Sequence, residues 1–419
     1  MSKHLLIVDS NVPGFDTIQN ASDAGIIVSF IRSNYRLYTV TENVIRTVYG
    51  VANVISIDDP TSLDQVKKAM SAIHNLLPVD GVITQLEACV DVVAQACADL
   101  GIRFTNARAV ANARDKAKAR ELIEAVGIRS ARCRIVSTPD EAAQVTAEFG
   151  CPVIVKPQTG YDSLLAYPAH SPEQAASATN ALLNGIKDTP RQIHSQLQKG
   201  VLVEELLVGE LVSVELGVKD GKFYRFMVSG RPRSKENECI EMGATMPADI
   251  SSELREECFF YAESVVTALG LDIGIFHIEM ILTKRGPTLV EVNPRLMGGV
   301  MPGMYKHLTS DDISKHLINI HLDLPVEAPE LDVRDFITSR KLMPRNNGQL
   351  AGQIDVSWAA ATEGLIHFDP YALRPGQEVK ANQVLARYQI RRNSLDDAGV
   401  IADELLDRFE VAIGIPLIR

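Results

Sequence analysis

Residues 276–302 read FHIEMILTKRGPTLVEVNPRLMGGVMP, and this stretch predicts two strands joined by a tight turn. Gly and Pro within residues 284–287 are typical of a chain reversal. Counting outward from residue 285 places Glu279 and Glu291 at equal distances from the turn, so the two carboxylates should face each other across the hairpin. By the same count, the pair at 277 and 293 should also be opposed.

The two faces of this hairpin differ in polarity, because side chains alternate along a strand. The polar face carries His277, Glu279, Glu291, Asn293 and, just beyond, Arg295; the apolar face carries Ile278, Met280, Val290 and Val292. Directly opposed like charges destabilise a hairpin, so a cation is expected between Glu279 and Glu291. Oxygen ligands without cysteine suit a hard ion such as Mg²⁺. The alternative is an ordinary half-solvated hairpin with its polar residues facing water.

The bulk composition sets limits on the class of protein. With 419 residues, 46% hydrophobic and 23% charged, the chain is expected to form two or three soluble domains. A net charge of −11 argues against an extended nucleic-acid surface. Six cysteines without C-x-x-C spacing predict reduced thiols in a cytoplasmic protein. No apolar run approaches the ~18–20 residues of a membrane span, and the first residues predict no signal peptide.

The first hundred residues alternate apolar runs with helical segments, which predicts a doubly wound α/β unit with parallel strands. The strands are expected at residues 4–9, 25–32, 54–57 and 80–84. Ligands bind such sheets beyond the carboxyl ends of the strands. Polar residues at those ends are Asp9, Ser10, Asn11, Arg32, Ser33 and Glu87. Each is also typical of an ordinary loop cap, and the absence of G-x-G-x-x-G disfavours a dinucleotide site.

Two lysines occupy positions where an anionic ligand is a plausible partner. Residues 106–127 predict one helical segment that ends at Gly127 and carries Lys116. Residues 152–157, PVIVKP, predict a short buried strand, in which Lys156 is awkward unless its ammonium meets an anion. A basic helix such as the first is equally typical of a solvated face.

The rest of the chain offers softer signals. Residues 201–210, VLVEELLVGE, predict a strand with two adjacent acids. Residues 229–247 are polar and lack periodicity, which predicts a mobile loop where Arg231, Arg233 and Lys235 are solvated or meet a carboxylate. Residues 334–419 predict short strands and a final helix beginning at Ser394.

Four blocks in this order resemble the ATP-grasp superfamily. They are Lys116 in a D-K-x-x-x-R segment, Lys156 in P-V-I-x-K-P, Glu204-Glu205 in V-E-E-x-x-x-G, and Glu291-Val292-Asn293-Pro294-Arg295 after Glu279. The resemblance implies a mixed α/β and α+β chain with an ATP-grasp fold. It implies an N-terminal doubly wound parallel-sheet domain (1–105), central nucleotide-clamping α+β lobes (106–325, with lobes at about 128–208 and 209–325) and a small C-terminal α+β lobe (326–419).

The resemblance also implies roles for individual residues. Lys116 and Lys156 would bind phosphates of ATP, and Gly160 and Ser163 would close over them. Glu204, through its side chain or backbone, and the Leu207 backbone would meet adenine beside Glu205, and Glu210 would lie near the ribose. The sequence departs from the family at Gly160, where a richer Gly and Ser run is usual, and at Glu210, whose register differs by one. A solvated loop acid is the equal alternative for Glu210.

For the hairpin, the resemblance implies two Mg²⁺ ions, with Mn²⁺ as a substitute, held by Glu279 and Glu291 and completed by Asn293. Arg295 would face the transferring phosphoryl group or a tetrahedral oxyanion. The turn at residues 298–299 would cradle an anionic substrate group with its backbone N–H groups, so Gly298, Gly299 and Arg295 are the predicted substrate contacts. His277 would steady a substrate carboxylate, act as a base, or simply be a polar residue satisfied by neighbouring backbone.

Within the superfamily, chain length, the P-R-L-M-G-G-x-M-P loop and the C-terminal lobe resemble L-amino-acid (dipeptide) ligases of bacilysin-type and dapdiamide-type antibiotic synthesis. The expected substrates are amino acids or small carboxylic acids joined through an acyl phosphate, and a homodimer is expected by analogy. One alternative is a ligase of purine or carboxylation metabolism acting on a ribonucleotide or bicarbonate, with a phosphate site in the N-terminal crevice. Another is a regulatory ATP-binding protein without turnover.

Overall fold

The N-terminal unit is a parallel sheet covered by helices, as predicted. The computed structural model describes residues 2–34, 38, 40–150, 152–160, 165–189, 197, 199–327, 333–370 and 373–419. The elements of the N-terminal unit are β1 (His4–Val8), α1 (Gly14–Asp23), β2 (Ile27–Ser33), α2 (Glu42–Tyr49), β3 (Asn53–Ile57), α3 (Leu63–Leu76), β4 (Gly81–Ile83) and α4 (Val90–Leu100). The strand order is β3-β2-β1-β4, and all pairs are parallel.

Strand β1 shows why this sheet is buried on both faces. All five of its residues are buried. Leu5 and Ile7 join a core that includes α1, whereas Leu6 and Val8 join a second core that includes α3. A continuous apolar run is therefore required at the centre of the sheet, since each face contacts a layer of helices.

Residues 106–127 form two helices instead of the single predicted one, namely α5 (Ala107–Arg114) and α6 (Lys116–Ala125). Asp115 separates them because its backbone is extended, and its side chain accepts from the Lys118 N–H to cap α6. The break places Lys116 at the first position of α6, at the helix end that attracts anions.

The next lobe, called the small lobe, is an antiparallel sheet with two helices. Its elements are β5 (Cys133–Val136), α7 (Pro139–Phe149), β6 (Val153–Pro157), β7 (Tyr167–Ala169), α8 (Pro172–Gly185) and β8 (Val201–Glu205). The strand order is β5-β8-β6-β7. This order sets β6, with Lys156, directly beside β8, with Glu204.

The remaining strands form one large sheet with the order β13-β12-β9-β10-β11-β14-β18-β16 and a small ribbon, β15-β17. The strands are β9 (Glu210–Lys219), β10 (Lys222–Gly230), β11 (Gly243–Met246), β12 (Gly274–Thr283), β13 (Gly286–Asn293), β14 (Phe336–Leu342), β15 (Gly348–Gln349), β16 (Leu365–Asp369), β17 (Glu378–Val379) and β18 (Ala386–Arg392). The helices are α9 (Ser252–Leu269), α10 (Met301–Thr309), α11 (Ile313–His321) and α12 (Leu395–Ile413).

One prediction about this region needs correction. Residues 229–247 are not only a loop, because they contain β11, which pairs with β14. After residue 325, β14, β18 and β16 extend the same sheet, and the boundaries of the predicted C-terminal lobe stay a prediction. Gly243 permits this junction, because a Cβ there would lie 2.0 Å from the carbonyl oxygen of Ser339. Among the described residues, no helix is long and apolar enough to cross a membrane.

Candidate active site

The β12–β13 hairpin has the predicted register at its polar end. Glu279 faces Glu291, and His277 faces Asn293. Directly opposed residues of antiparallel strands project from the same face of the sheet, so the two carboxylates lie side by side. The predicted pairing of Glu279 with Glu291 and of His277 with Asn293 is therefore confirmed.

The apolar side of the hairpin departs from the prediction, because β13 carries a bulge. The register shifts by one residue beside Glu279, which leaves Val290 without a partner on β12. Leu289, opposite Met280, joins the buried core in the place expected for Val290. Val290 instead packs beside Leu207 in a separate small cluster. The bulge also frees the Val290 carbonyl for a side-chain donor.

Lys116 contacts one of the two paired acids, and the cation expected between them stays a prediction. Its Nζ lies 3.0 Å from Glu291 Oε2 and donates to the Gly160 carbonyl at 3.1 Å. Asn293 donates to the other oxygen of Glu291 at 3.2 Å. Burial raises the pKa of Glu291, but Lys116 and Asn293 more than offset this and hold that pKa at about 2. The carboxylate therefore stays ionised and ready to bind a cation.

His277 is buried between two carboxylates. Its Nδ1 contacts Glu215, and its Nε2 lies 3.2 Å from Glu279 Oε1. Burial lowers the pKa of His277, but Glu215 and Glu279 outweigh burial and raise it to about 9. This raised pKa favours the protonated ring, although Arg231 also lies 3.0 Å from the same Nε2. The predicted role as a base stays a prediction. His277 points into the site, as predicted, and orients Glu279 there.

Of the two alternatives for Arg231, solvation or contact with a carboxylate, the structure shows the second. Its side chain is only 10% exposed, it forms an ion pair with Glu241, and it lies 3.6 Å from Glu279. Glu241 in turn lies 3.3 Å from Lys341 on β14. A chain of alternating charges thus connects Glu279 to the C-terminal part of the sheet.

The anion that Lys156 meets is a carboxylate of the protein itself. Lys156 Nζ lies 2.7 Å from Glu204 Oε1, and Arg120 of α6 lies 3.1 Å from Glu204 Oε2. Arg120 also donates to the Val290 carbonyl at 2.7 Å, at the bulge just before Glu291. Burial raises the pKa of Glu204, but Arg120 and Lys156 hold it below its usual range. The Glu204 carboxylate, which was predicted to meet adenine, is thus already paired with two buried cations. The alternative contact, between the Glu204 backbone and adenine, stays a prediction.

The other predicted nucleotide residues follow β8. Glu205 is half-buried, with two arginines at 3.6 and 3.5 Å. Leu207 has a buried side chain, and its backbone N–H and C=O form no hydrogen bond within the part of the chain that the structure describes. Its backbone is therefore available to an adenine edge. Glu210 is exposed at the start of β9, and Ser163 lies outside the described residues.

Arg295 contacts an acid to which the sequence pattern gave no catalytic role. Its guanidinium donates to Glu87, in the short 3-10 turn Glu87–Cys89 that follows β4. The two side chains are 16% and 14% exposed. Glu87, Ala113, Arg114, Lys116, Gly160, Glu291, Val292 and Asn293 line a narrow cleft, called here the cleft. Only the position of Glu87 at a strand end signalled that it lies here.

The predicted substrate turn at residues 298–299 begins three residues after this arginine. Gly299 has a φ of +60°, the left-handed region that favours glycine, and α10 starts two residues later. A buried hydrogen bond stabilises the turn, because the Met297 N–H donates to Glu215 at 3.1 Å. Glu215 therefore links the turn to His277.

The donor set suits Mg²⁺, which takes one or two carboxylates together with substrate phosphates. Glu279 and Glu291 offer carboxylate oxygens on one face, and Asn293 offers an amide oxygen beside them. Within the described ranges, no group of three or more His, Cys, Asp or Glu side chains is placed to hold a metal. An ion here would depend on oxygens from a bound nucleotide, as is usual for Mg²⁺.

Comparison with known families agrees with this geometry. A model described as "ATP-grasp domain" matches residues 149–302, and one described as "ATP-grasp N-terminal domain" matches residues 18–102. The chain belongs to the ATP-grasp superfamily.

Two relatives and one solved structure are similar to most of this chain. Alanine–anticapsin ligase of Bacillus amyloliquefaciens is 25% identical over 311 residues, which cover 68% of this chain but only 65% of that protein. Formate-dependent phosphoribosylglycinamide formyltransferase of Synechococcus is 25% identical over 78% of this chain and 80% of its own length. The crystal structure of an L-amino acid ligase from Bacillus licheniformis superposes with a TM-score of 0.77 at 17% identity, over 97% of this chain and 98% of that one. The structural likeness establishes the fold.

Proposed function

We propose that this protein is an ATP-dependent carboxylate–amine ligase. It joins an amino acid or small acid to the amine of an amino acid and releases ADP and phosphate. The observation that carries this proposal is the pair Glu279 and Glu291 on facing strands, with Lys116 bound to one of them. The likeness to alanine–anticapsin ligase and to the L-amino acid ligase supports amino-acid substrates.

The first step is the attack of a substrate carboxylate oxygen on the γ-phosphorus of ATP. The bond from that phosphorus to the leaving ADP oxygen breaks, and an acyl phosphate forms. Two anions must approach each other, so the site has to supply positive charge. Lys116 and Lys156 contribute this charge, each exchanging a carboxylate partner for a phosphate oxygen. Mg²⁺ held by Glu279, Glu291 and Asn293 would supply further charge neutralisation.

In the second step, the amine nitrogen attacks the acyl carbon. The bond from that carbon to the phosphate oxygen breaks, and the departing phosphate takes up the proton that the nitrogen loses. Arg295 donates to the oxyanion that develops, and losing such a donor typically costs about 10²–10³ in rate.

The N-terminal crevice helps to choose between substrates. A ribonucleotide ligase would need a phosphate site there, and α1 begins at this edge, directly after the central strand β1. Its first N–H groups bond to their own loop, since Gly14 donates to Asn11 at 3.1 Å, Phe15 to Val12 at 3.3 Å and Asp16 to Pro13 at 3.2 Å. An acid in the first turn, Asp16, further disfavours a phosphate. These contacts favour an amino acid over a ribonucleotide.

The regulatory alternative receives less support. A protein that only binds ATP has no need for an arginine beside the paired acids, yet Glu279, Glu291, Asn293 and Arg295 are all brought to one end of the hairpin. The site therefore favours turnover.

The test is product release by the purified protein with Mg²⁺, ATP and pooled amino acids. We expect ADP and inorganic phosphate, measured by chromatography and a phosphate assay, and then a peptide by mass spectrometry when acids and amines are supplied singly. Appearance of AMP instead of ADP would remove the acyl-phosphate mechanism. Glu291→Gln is the control that should abolish release, and wild-type rates in this variant would refute the metal assignment.

A further inference from the structure

Two acids among the described residues line the cleft, and they come from different parts of the chain. Glu291 lies on β13, and Lys116 neutralises it at 3.0 Å. Glu87 belongs to the N-terminal unit and accepts from Arg295, 208 residues further along the chain. The proposed handling of ATP uses Glu291 but gives Glu87 no task.

A carboxylate in this position is unfavourable for the phosphate chemistry by itself. Like charges repel strongly where water is partly excluded, and the side chain of Glu87 is only 14% exposed. An acid beside an acyl phosphate would weaken the binding of that intermediate. Its presence is explained if a cationic ligand must come to the same place.

We propose that Glu87 binds the ammonium group of the amine substrate and so determines the preference for a charged amino acceptor. This inference rests on the proposed function. The proposed function places Arg295 at the acyl carbon. Its ion-pair partner Glu87 therefore lies beside the position where the amine attacks. ATP and the acyl phosphate are anionic, whereas the amine arrives as an ammonium ion.

The ion pair itself suggests how binding proceeds. While the site is empty, Glu87 and Arg295 neutralise each other. Formation of the acyl phosphate gives Arg295 a new anionic partner. Glu87 then accepts the incoming ammonium and takes up one of its protons, which leaves the neutral amine nitrogen with a lone pair for its attack on the acyl carbon. Each charge stays paired throughout, which avoids the large penalty of a buried unpaired ion. The nucleotide lysines lie on α6 and β6, so the amine reaches the cleft from the side of the N-terminal unit.

The experiment compares two nucleophiles on the same acyl phosphate, using the full-length protein with Mg²⁺ and ATP. One is the amino-acid acceptor, which gives a peptide. The other is hydroxylamine, which is largely uncharged at neutral pH and gives a hydroxamate. For Glu87→Gln, we expect kcat/KM for the amino acid to fall about 10²-fold, as for loss of one partner of a buried charge pair, while hydroxamate formation is unchanged. Glu87→Asp keeps the charge and should retain more peptide synthesis than Glu87→Gln.

Asp99→Asn is the matched control. Asp99 is another acid of the N-terminal unit, it forms an ion pair with Lys67 at 2.5 Å, and it lies outside the cleft, so both products should form at wild-type rates. Equal losses of peptide and hydroxamate in Glu87→Gln would mean that Glu87 acts on the acyl donor or on Arg295, and would overturn the inference. Unchanged peptide synthesis would overturn it as well, as would an Asp variant that loses as much as the Gln variant. A Gln variant that does not fold, together with a folded and fully active Asp variant, would assign Glu87 to folding instead. If the wild type forms neither product, the proposed function itself fails.

Discussion

Replacing Glu204 by glutamine would remove one negative charge from the interior of the small lobe with little change in shape. Glu204 is 2% exposed, and its carboxylate lies 2.7 Å from Lys156 and 3.1 Å from Arg120. The variant would leave both cations buried without their shared partner. We therefore expect the free energy of unfolding of this lobe to fall.

The size of the effect follows from the burial of the three groups. Removing one partner of a buried ion pair costs about 3–5 kcal/mol. Part of the loss is recovered here, because burial already lowers the pKa of Lys156, and a lysine without its carboxylate can give up its proton. We expect the lower end of the range, about 3 kcal/mol, which makes opening of the lobe roughly 10²-fold more frequent.

Hydrogen exchange measured by mass spectrometry reports this opening for peptides that cover β6 and β8. Glu205→Gln is the matched control on the next residue, because its side chain is 27% exposed and its arginine partners lie at 3.6 and 3.5 Å. A surface pair of this kind contributes about 0–1 kcal/mol, so exchange in the control should barely change. Equal protection in the two variants would refute the reasoning.

The pH dependence gives a second check with a defined sign. The pKa of Glu204 lies below its ordinary value of 4.5, since Arg120 and Lys156 outweigh burial. The carboxylate therefore contributes stability above pH 4.5 that is lost as the pH falls through the lower, folded value. The difference between wild type and Glu204→Gln should be complete at neutral pH and should shrink on acidification below 4.5. A difference that grows on acidification would contradict the assignment.

Three further predictions concern the cleft and its support. Lys116→Met should weaken binding of Mg·ADP about 10-fold to 10²-fold in calorimetry, because it removes a charged donor to phosphate; undiminished affinity would contradict the role. Arg120→Lys should raise KM for ATP, since the shorter donor cannot hold both Glu204 and the Val290 carbonyl. Arg129→Lys is the control and should leave KM unchanged, because Arg129 donates to Pro287, elsewhere on the same strand, at 3.0 Å. His277→Gln should raise the Mg²⁺ concentration needed for half-maximal turnover, because the ring orients Glu279, and should leave the dependence of the rate on pH unchanged. A change in the pH–rate profile of this variant would instead support the role of His277 as a base.

The hairpin shows most clearly which features the sequence alone could predict. A turn at residues 284–287 and the two-residue alternation of a strand were enough to pair Glu279 with Glu291 and His277 with Asn293. The bulge at Val290 could not be predicted in the same way, because Leu289 and Val290 are adjacent and both apolar, so the sequence does not show which of them faces the core. The carbonyl that the bulge frees accepts a hydrogen bond from Arg120, which lies 170 residues earlier in the chain.

The sequence by itself determined the strands of the N-terminal sheet and of the hairpin, and the register of the paired acids, because these follow from periodicity and turn chemistry. It also singled out the two lysines, through recognisable local motifs. Only the tertiary structure decided the partner of each charge. Lys156 binds Glu204, Arg231 is buried against Glu241, and Arg295 reaches Glu87 across 208 residues. The physical reason is that an ion pair forms between whichever opposite charges the fold buries together, and a linear pattern does not encode that proximity.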